Sequence, residues 1–254
     1  AGAPVSRRVL QGFGEFLAGG EIFTPYGATE ALPVSSIASS ELLGLRGSGG
    51  AKGVCVGRPI KGIDVHIIRI SEGPFDMLTE DLLLRSGETG ELVVAGPNVS
   101  MEYFGRPQAN RLSKLRLRDG RTGHRMGDLG YFDEQGRIWF CGRKSHRVIT
   151  PRGVLFSVPT EGIFNQHPQV RRTALVGVGQ SPDQTPVLCV ELVTRERRTK
   201  EGIRAELLEI AAHNEGISHI SNVLFHKGFP VDVRHNSKIV REKLALWAAH
   251  RIHP

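Results

Sequence analysis

HRMGDLGYFDEQGRIWFCGRKSHRV, residues 124–148, decides how this chain is read. Within it, YFDEQGRIWFCG (131–142) sets two apolar runs around a polar turn at Glu134–Gly136, the pattern of a β-hairpin. Asp128 follows Gly127 at what reads as a turn, where a carboxylate can accept from two vicinal hydroxyls of a ribose; a local Asx-type cap accounts for it equally. Arg143, directly after a strand and Gly142, offers a planar fork for the same sugar or for a phosphate.

Outward from this segment the chain changes character. Up to Gly142 it is rich in Gly, turns and short strands, such as ELVVAG (91–96). Beyond that point strands and helices mix. ALVGVG (174–179) and VLCVELV (187–193) read as paired strands joined by the turn-rich QSPDQTP. In GIRAELLEIAAHN (202–214), Ile203, Leu207, Ile210 and Ala211 recur at helical spacing, with Asn214 and Gly216 as a stop. SKIVREKLALWAAH (237–250) predicts a second helix through Ile239, Leu244 and Trp247, capped by Asn236 or Ser237. A boundary is expected near residues 143–146.

Two further clusters carry chemistry. TPYGATE (24–30) places an aromatic ring beside a tight backbone turn, followed by a hydroxyl and a carboxylate. Tyr26 could stack on a purine, Thr29 bond a phosphate oxygen and Glu30 help hold Mg²⁺; an ordinary turn and helix start would give the same letters. In FPVDVRHNSKIVREKL (229–244), Lys238 is expected at the first turn of an amphipathic helix, where a long ammonium can reach an anion outside its own domain. For any single Lys, a solvated side chain is the commoner explanation. GSGGAKG (47–53) is rejected as a phosphate loop, because Gly53 follows Lys52 where a hydroxyl residue is needed to hold magnesium.

Composition narrows the classes. The 254 residues are 39% hydrophobic and 23% charged, with 31 Gly and 14 Pro, a packed and loop-rich balance. No apolar run approaches the ~20 residues of a membrane helix, and the first residues lack the pattern of a secretory signal. The absence of an initiator Met suggests a chain that begins inside something larger, has been trimmed, or was cut by design. The formal charge of +7 comes from scattered Lys and Arg, with RERRTK (195–200) the one dense run; solubility explains it, and nucleic acid is not expected as a partner. Cys55, Cys141 and Cys189 form no CxxC pair and fit a reducing, cytoplasmic setting. Cys55 lies in a strand-like run with no adjacent base, which argues against a catalytic thiol.

Taken in order, these pieces resemble the acyl-adenylate-forming superfamily of acyl-CoA synthetases, luciferases and peptide-synthetase adenylation domains, over essentially the whole chain. Gly2, Ala3 and Pro4 are similar to its adenine-contacting strand end, and Tyr26, Gly27, Ala28, Thr29 and Glu30 to its aromatic-Gly-x-Thr-Glu motif. GELVVAGPNVSMEYFGRP (90–107) is similar to its barrel-subdomain segment, Asp128 to its ribose-binding Asp, Arg143 to the Arg before its hinge, and Lys238 to the lysine of its small domain. The resemblance implies an α/β (mixed α+β) fold. Residues 1–144 would be the rear of the large AMP-binding domain with a β-barrel subdomain, and 145–254 a small mobile domain carrying the lysine. It also implies ATP and Mg²⁺, the latter at Glu30, with Lys238, Glu30 and Thr29 catalytic.

The chain departs from the common pattern at three places: Ser145 replaces the hinge acid, ITPRGVLFSVPTEGIF (149–164) keeps only Gly153 and Glu161 of the usual wording, and Ser237 replaces the Gly before the lysine. The wording is most similar to the branch serving bacterial long-chain olefin biosynthesis. That implies activation of a β-hydroxy fatty acid as acyl-AMP and closure of a β-lactone, and it allows a complex with other olefin-pathway enzymes. An acyl-CoA or acyl-carrier-protein ligase and a non-catalytic nucleotide- or partner-binding module are the alternatives. The superfamily's triphosphate loop matches no segment here, so this chain alone is expected to be inactive.

Overall fold

The computed structural model describes residues 5, 7–17, 19–45, 52–193, 199–232 and 235–252. Gly2, Ala3 and Pro4 lie outside the described residues, as do most of GSGGAKG and of RERRTK. The chain divides into two compact units, and beyond Gly53 the division falls between Ser145 and His146.

The first unit holds helices α1 (Arg7–Gly14), α2 (Ser39–Gly44) and α3 (Pro107–Ser113) and strands β1 (Phe23–Ala28), β2 (Ala31–Ala38), β3 (Val54–Pro59), β4 (Asp64–Ile68), β5 (Gly90–Ala95), β6 (Lys114–Arg116), β7 (Thr122–Phe132) and β8 (Ile138–Arg143). These strands form one sheet in the order β1-β2-β3-β8-β7-β5-β4, with β6 on the far end of β7. The ELVVAG run is β5, buried along its whole length between β4 and β7. Its side chains alternate between faces, as a pleated strand requires. Leu92 and Val94 join Val34, Ile67, Met126 and Ile138 in one apolar cluster, while Val93 and Ala95 join Ile68, Leu78, Leu115 and Leu117 in another.

The expected hairpin at 131–142 is the β7–β8 pair, with Phe132 opposite Ile138. Asp133 closes its turn by accepting from the backbone N–H of Gln135 and Arg137 at 3.0 and 2.9 Å. One expectation is corrected. Among the described residues the strand order runs from β1 to β4 without joining them, β4 taking only an isolated bridge from Ile68 to Leu83 on its outer side, so no closed β-barrel forms.

Glu91 on β5 carries a charge into the sheet, and the sequence pairs it. Arg125 donates to its Oε2 at 2.6 Å, and Lys144 at 3.1 Å. Arg125 spends its remaining donors on the carbonyls of Ser71, Gly73 and Leu112. Buried ions are tolerated when matched in this way. Lys144 also donates to the Ser71 carbonyl at 3.0 Å, so the last residues of the first unit are fastened to its sheet.

The second unit contains the hairpin β9 (Val148–Thr150) and β10 (Gly153–Leu155), helix α4 (Ser157–Phe164), strands β11 (Val170–Val178) and β12 (Thr185–Leu192), helix α5 (Lys200–Ala212), strand β13 (Asn222–Phe225), the pair β14 (Val231–Asp232) and β15 (His235–Ile239), and helix α6 (Arg241–Ile252). β11 and β12 pair antiparallel and β13 adds parallel to β12. Alternation again builds two cores. Leu175, Leu188 and Val190 pack with Phe164, Ile203 and Leu207 of the helices. Ala174, Val176, Val187 and Cys189 pack with Leu244 and Ala248 of α6.

The helix expected over 237–250 starts later, at Arg241. Residues 235–239 are a strand instead, because Ile239 pairs with Val231 and the Val240 N–H bonds the Pro230 carbonyl at 2.9 Å. Lys238 therefore sits on a hairpin strand, exposed, and not on the first helical turn. Arg241 fixes where the helix begins. Its guanidinium donates to both oxygens of Glu161 on α4, at 2.5 and 3.0 Å, and Glu161 also accepts from the Leu175 N–H at 2.8 Å.

No helix among the described residues is long and apolar enough to cross a membrane. All three cysteines are buried, and burial raises the Cys55 thiol above its usual range, as it does those of Cys141 and Cys189, which reach about 12. None is poised as a thiolate nucleophile.

Candidate nucleotide site

TPYGATE folds as the β1–β2 hairpin with Thr29 and Glu30 at its tip, so β2 stands where a helix start was the competing expectation. The register slips between Tyr26 and Ala28. Gly27 occupies that slip, and a Cβ there would lie 2.4 Å from the Ala31 carbonyl oxygen, so only glycine fits. The slip aims Tyr26 toward β7 and β8. Its ring lies 6.0 Å from that of Phe140, and its hydroxyl donates to Asp128 Oδ2 at 2.7 Å. Thr29 is exposed, and Ala28 is partly buried against the core.

Asp128 was expected at a turn. It lies within the eleven-residue strand β7, beside a bulge where Gly127 takes a φ of 63°. The bulge does the work assigned to the turn, because it re-aims the side chain that follows it. Arg143, the last residue of β8, is the register partner of Asp128 and donates to Oδ1 at 2.8 Å and to the Met126 carbonyl at 3.3 Å. One tyrosine and one arginine thus hold the two oxygens of one carboxylate. Each oxygen keeps a second lone-pair direction, which leaves acceptor capacity for a pair of vicinal hydroxyls.

Burial raises the Asp128 carboxyl above its ordinary range, against the opposing pull of Arg143 and the Tyr26 hydroxyl. Burial, then the Asp128 charge, pushes the Tyr26 phenol well above its usual value, so it remains a donor. Arg143 keeps 46% of its side chain in solvent, against 6% for Asp128. The buried carboxylate is fixed while the fork remains available.

Glu30 anchors a second group that the sequence reading missed. Tyr103 donates its hydroxyl to Glu30 Oε1 at 2.7 Å. Lys114 lies 5.5 Å over the Tyr103 ring, bonded to the Ser100 carbonyl and, at 3.0 Å, to its hydroxyl. His124 meets the same ring edge-on at 6.2 Å. Burial and the Lys114 charge lower the His124 imidazole to about 4, so it is neutral. Burial is the strongest single influence on Glu30 and pushes its carboxyl up, but the Tyr103 bond, the Glu30 backbone N–H and the nearby Lys114 charge together hold it below the usual carboxylate range. The available signal was GPNVSMEYFGRP itself, whose Tyr103 was read only as part of a structural segment.

An ionised carboxylate is the hard oxygen donor that Mg²⁺ takes. Among the described residues no group of three or more His, Cys, Asp or Glu side chains gathers for a metal. A single carboxylate of this kind could serve a magnesium that takes its other oxygens from phosphate and water. Lys238 belongs to the second unit and is described there alone.

A family model described as "AMP-binding enzyme" matches residues 1–104. The olefin β-lactone synthetase of Xanthomonas campestris pv. campestris is 47% identical over 265 residues, covering 99% of this chain and 46% of that protein. The protein of the same name from Stenotrophomonas maltophilia is 46% identical over 255 residues, covering 98% of this chain and 46% of its own. The chain spans about half the length of these curated relatives. Among solved structures, the amide bond synthetase McbA from Marinactinospora thermotolerans superposes with a TM-score of 0.75 at 24% identity, over 97% of this chain and 46% of that one, a likeness of fold. By its sequence, this chain belongs with the AMP-binding enzymes.

Proposed function

We propose that the protein containing this chain activates a β-hydroxy fatty acid with ATP and closes it to a β-lactone. The observation that carries the nucleotide half is the convergence of Tyr26 and Arg143 on the two oxygens of Asp128. That arrangement presents an oriented carboxylate to a ribose diol and an exposed guanidinium to a neighbouring oxygen. The identity to olefin β-lactone synthetases supports the acyl half.

In the first step the substrate carboxylate attacks the α-phosphorus of ATP, the bond to the β-phosphate bridging oxygen breaks, and pyrophosphate leaves. In the second, the substrate's own β-hydroxyl oxygen attacks the acyl carbonyl, its proton is lost, and the acyl–phosphate bond breaks to release AMP. One anion must attack another in the first step, so cations decide its rate. Lys238 is the residue we assign to that charge, with Thr29 a phosphate contact and Tyr26, Gly27 and Ala28 the adenine side of the pocket. Removing such a cation costs on the order of 10²–10³ in rate. Glu30 would hold Mg²⁺, which when bound neutralises charge on the phosphate oxygens.

The test is a product assay on the intact protein with a 2-alkyl-3-hydroxy acid, ATP and Mg²⁺, with and without CoA. β-Lactone and AMP in the absence of CoA are expected. A thioester as sole product, formed only when CoA is present, would overturn the proposal.

A further inference from the structure

Tyr103 is more firmly held than a residue of an irregular loop needs to be. The Asn110 side chain clasps its backbone from both sides, accepting from the Tyr103 N–H at 2.6 Å and donating to its carbonyl at 3.0 Å. The Lys114 ammonium lies over its ring, and the His124 ring packs against it at a steep angle. Its hydroxyl donates to Glu30, 73 residues away. The backbone is tied to the same place, since the Ser100 N–H bonds the Glu30 carbonyl at 2.8 Å.

The donor chosen is informative. A carboxylate meant for structure is ordinarily matched by a cation, as Glu91, Glu161 and Glu191 are here. Glu30 has no ion-pair partner among the described residues, although Lys114 lies close by. Lys114 is diverted to Ser100. A phenol orients a carboxylate without cancelling its charge. The result is a fixed carboxylate whose negative charge is left for something outside the protein.

We propose that Tyr103 is a positioning residue for Glu30, holding Oε1 so that the carboxylate presents its second oxygen to the magnesium of a bound nucleotide. This rests on the reading of Glu30 as the metal-side carboxylate, and deepens it. Asn110 acts one step further out by holding Tyr103. Neither residue touches the nucleotide.

The experiment measures Mg²⁺ binding to the ATP complex of the intact protein by calorimetry, alongside affinity for metal-free AMP, in wild type, Tyr103→Phe, Asn110→Ala and Glu30→Gln. Tyr103→Phe removes one oxygen and is expected to raise the Mg²⁺ needed for half-saturation about 5- to 10-fold, the loss of one charged hydrogen bond. AMP affinity should stay at the wild-type value, because AMP relies on Asp128. Asn110→Ala should shift the Mg²⁺ requirement in the same direction by a smaller factor. An unchanged Mg²⁺ requirement in Tyr103→Phe, or parallel losses of Mg²⁺ and AMP binding, would sink the inference and leave Glu30's role standing. A wild-type Mg²⁺ requirement in Glu30→Gln would instead overturn the reading on which the inference rests.

Discussion

Asp128 and Arg143 face one another directly across the β7–β8 register, and the guanidinium reaches the carboxylate at 2.8 Å. Fifteen residues apart in the chain, they are set by the hairpin, whose turn and bulge together determine that they meet. The pair is asymmetric, with a buried acid and a half-exposed base. The base is therefore free to serve a ligand while still lowering the cost of the buried charge.

Arg143→Ala is expected to weaken AMP binding about 10-fold near neutral pH, the loss of one charge-assisted bond. The effect should grow on acidification. Asp128 already titrates above the ordinary carboxylate range because it is buried, and Arg143 is the main force opposing that rise. Without it the carboxyl takes up its proton at higher pH, so AMP affinity should begin to fall at higher pH in the variant than in wild type. Calorimetric titrations across pH 5–8 check this; parallel pH profiles would contradict it.

Gly27→Ala places a methyl group 2.4 Å from the Ala31 carbonyl oxygen. Backbone must move to admit it, at a cost of about 1–3 kcal/mol. The displaced segment carries Tyr26 and Glu30, so nucleotide affinity should fall together with the unfolding temperature. Differential scanning calorimetry and AMP titration of the same sample provide the check.

Much of the fold was legible because it is local. The strand at 91–96, the hairpin at 131–142, the pair at 174–193 and the helix at 202–214 each follow from short-range periodicity and a turn or stop residue. Lys238 was misplaced because residues 237–250 also satisfy a helical pattern, and only the partner strand at Val231–Asp232 makes 235–239 extended. Asp128 was assigned to a turn because Gly-Asp is a turn dipeptide, and a bulge inside a long strand uses the same letters. The β-barrel followed from resemblance and not from the residues, whose pairing among those described does not join β1 to β4.

The site was legible where type and order carried it. Tyr26, Asp128 and Arg143 were named from the sequence, and the structure brings them within hydrogen-bond reach. Tyr103 lies in the recognisable stretch GPNVSMEYFGRP, but the sequence does not show that it, Lys114 and His124 gather around one carboxylate. Their meaning comes from Glu30, more than seventy residues upstream.

His124 gives the fold an acid sensitivity of known sign. Its imidazole, 3% exposed, titrates at about 4, against about 6.5 when free. Between those values the unfolded chain binds a proton that the folded chain refuses, so stability is lost as pH falls through that window, by up to ~3 kcal/mol. Asp128, with its carboxyl raised, acts in the opposite direction. That contribution is common to wild type and His124→Gln, so the difference between them isolates the histidine. Urea unfolding at pH 7 and pH 5 should show a smaller loss in His124→Gln; equal losses would refute the assignment.

Asp128 is the carboxylate we assign to the ribose, and AMP titration of Asp128→Ala probes that role. In the intact protein the substitution should weaken AMP on the order of 10²-fold, while circular dichroism and the unfolding transition show the sheet still formed. Wild-type AMP affinity in a folded Asp128→Ala protein would mean that the ribose is held by other residues.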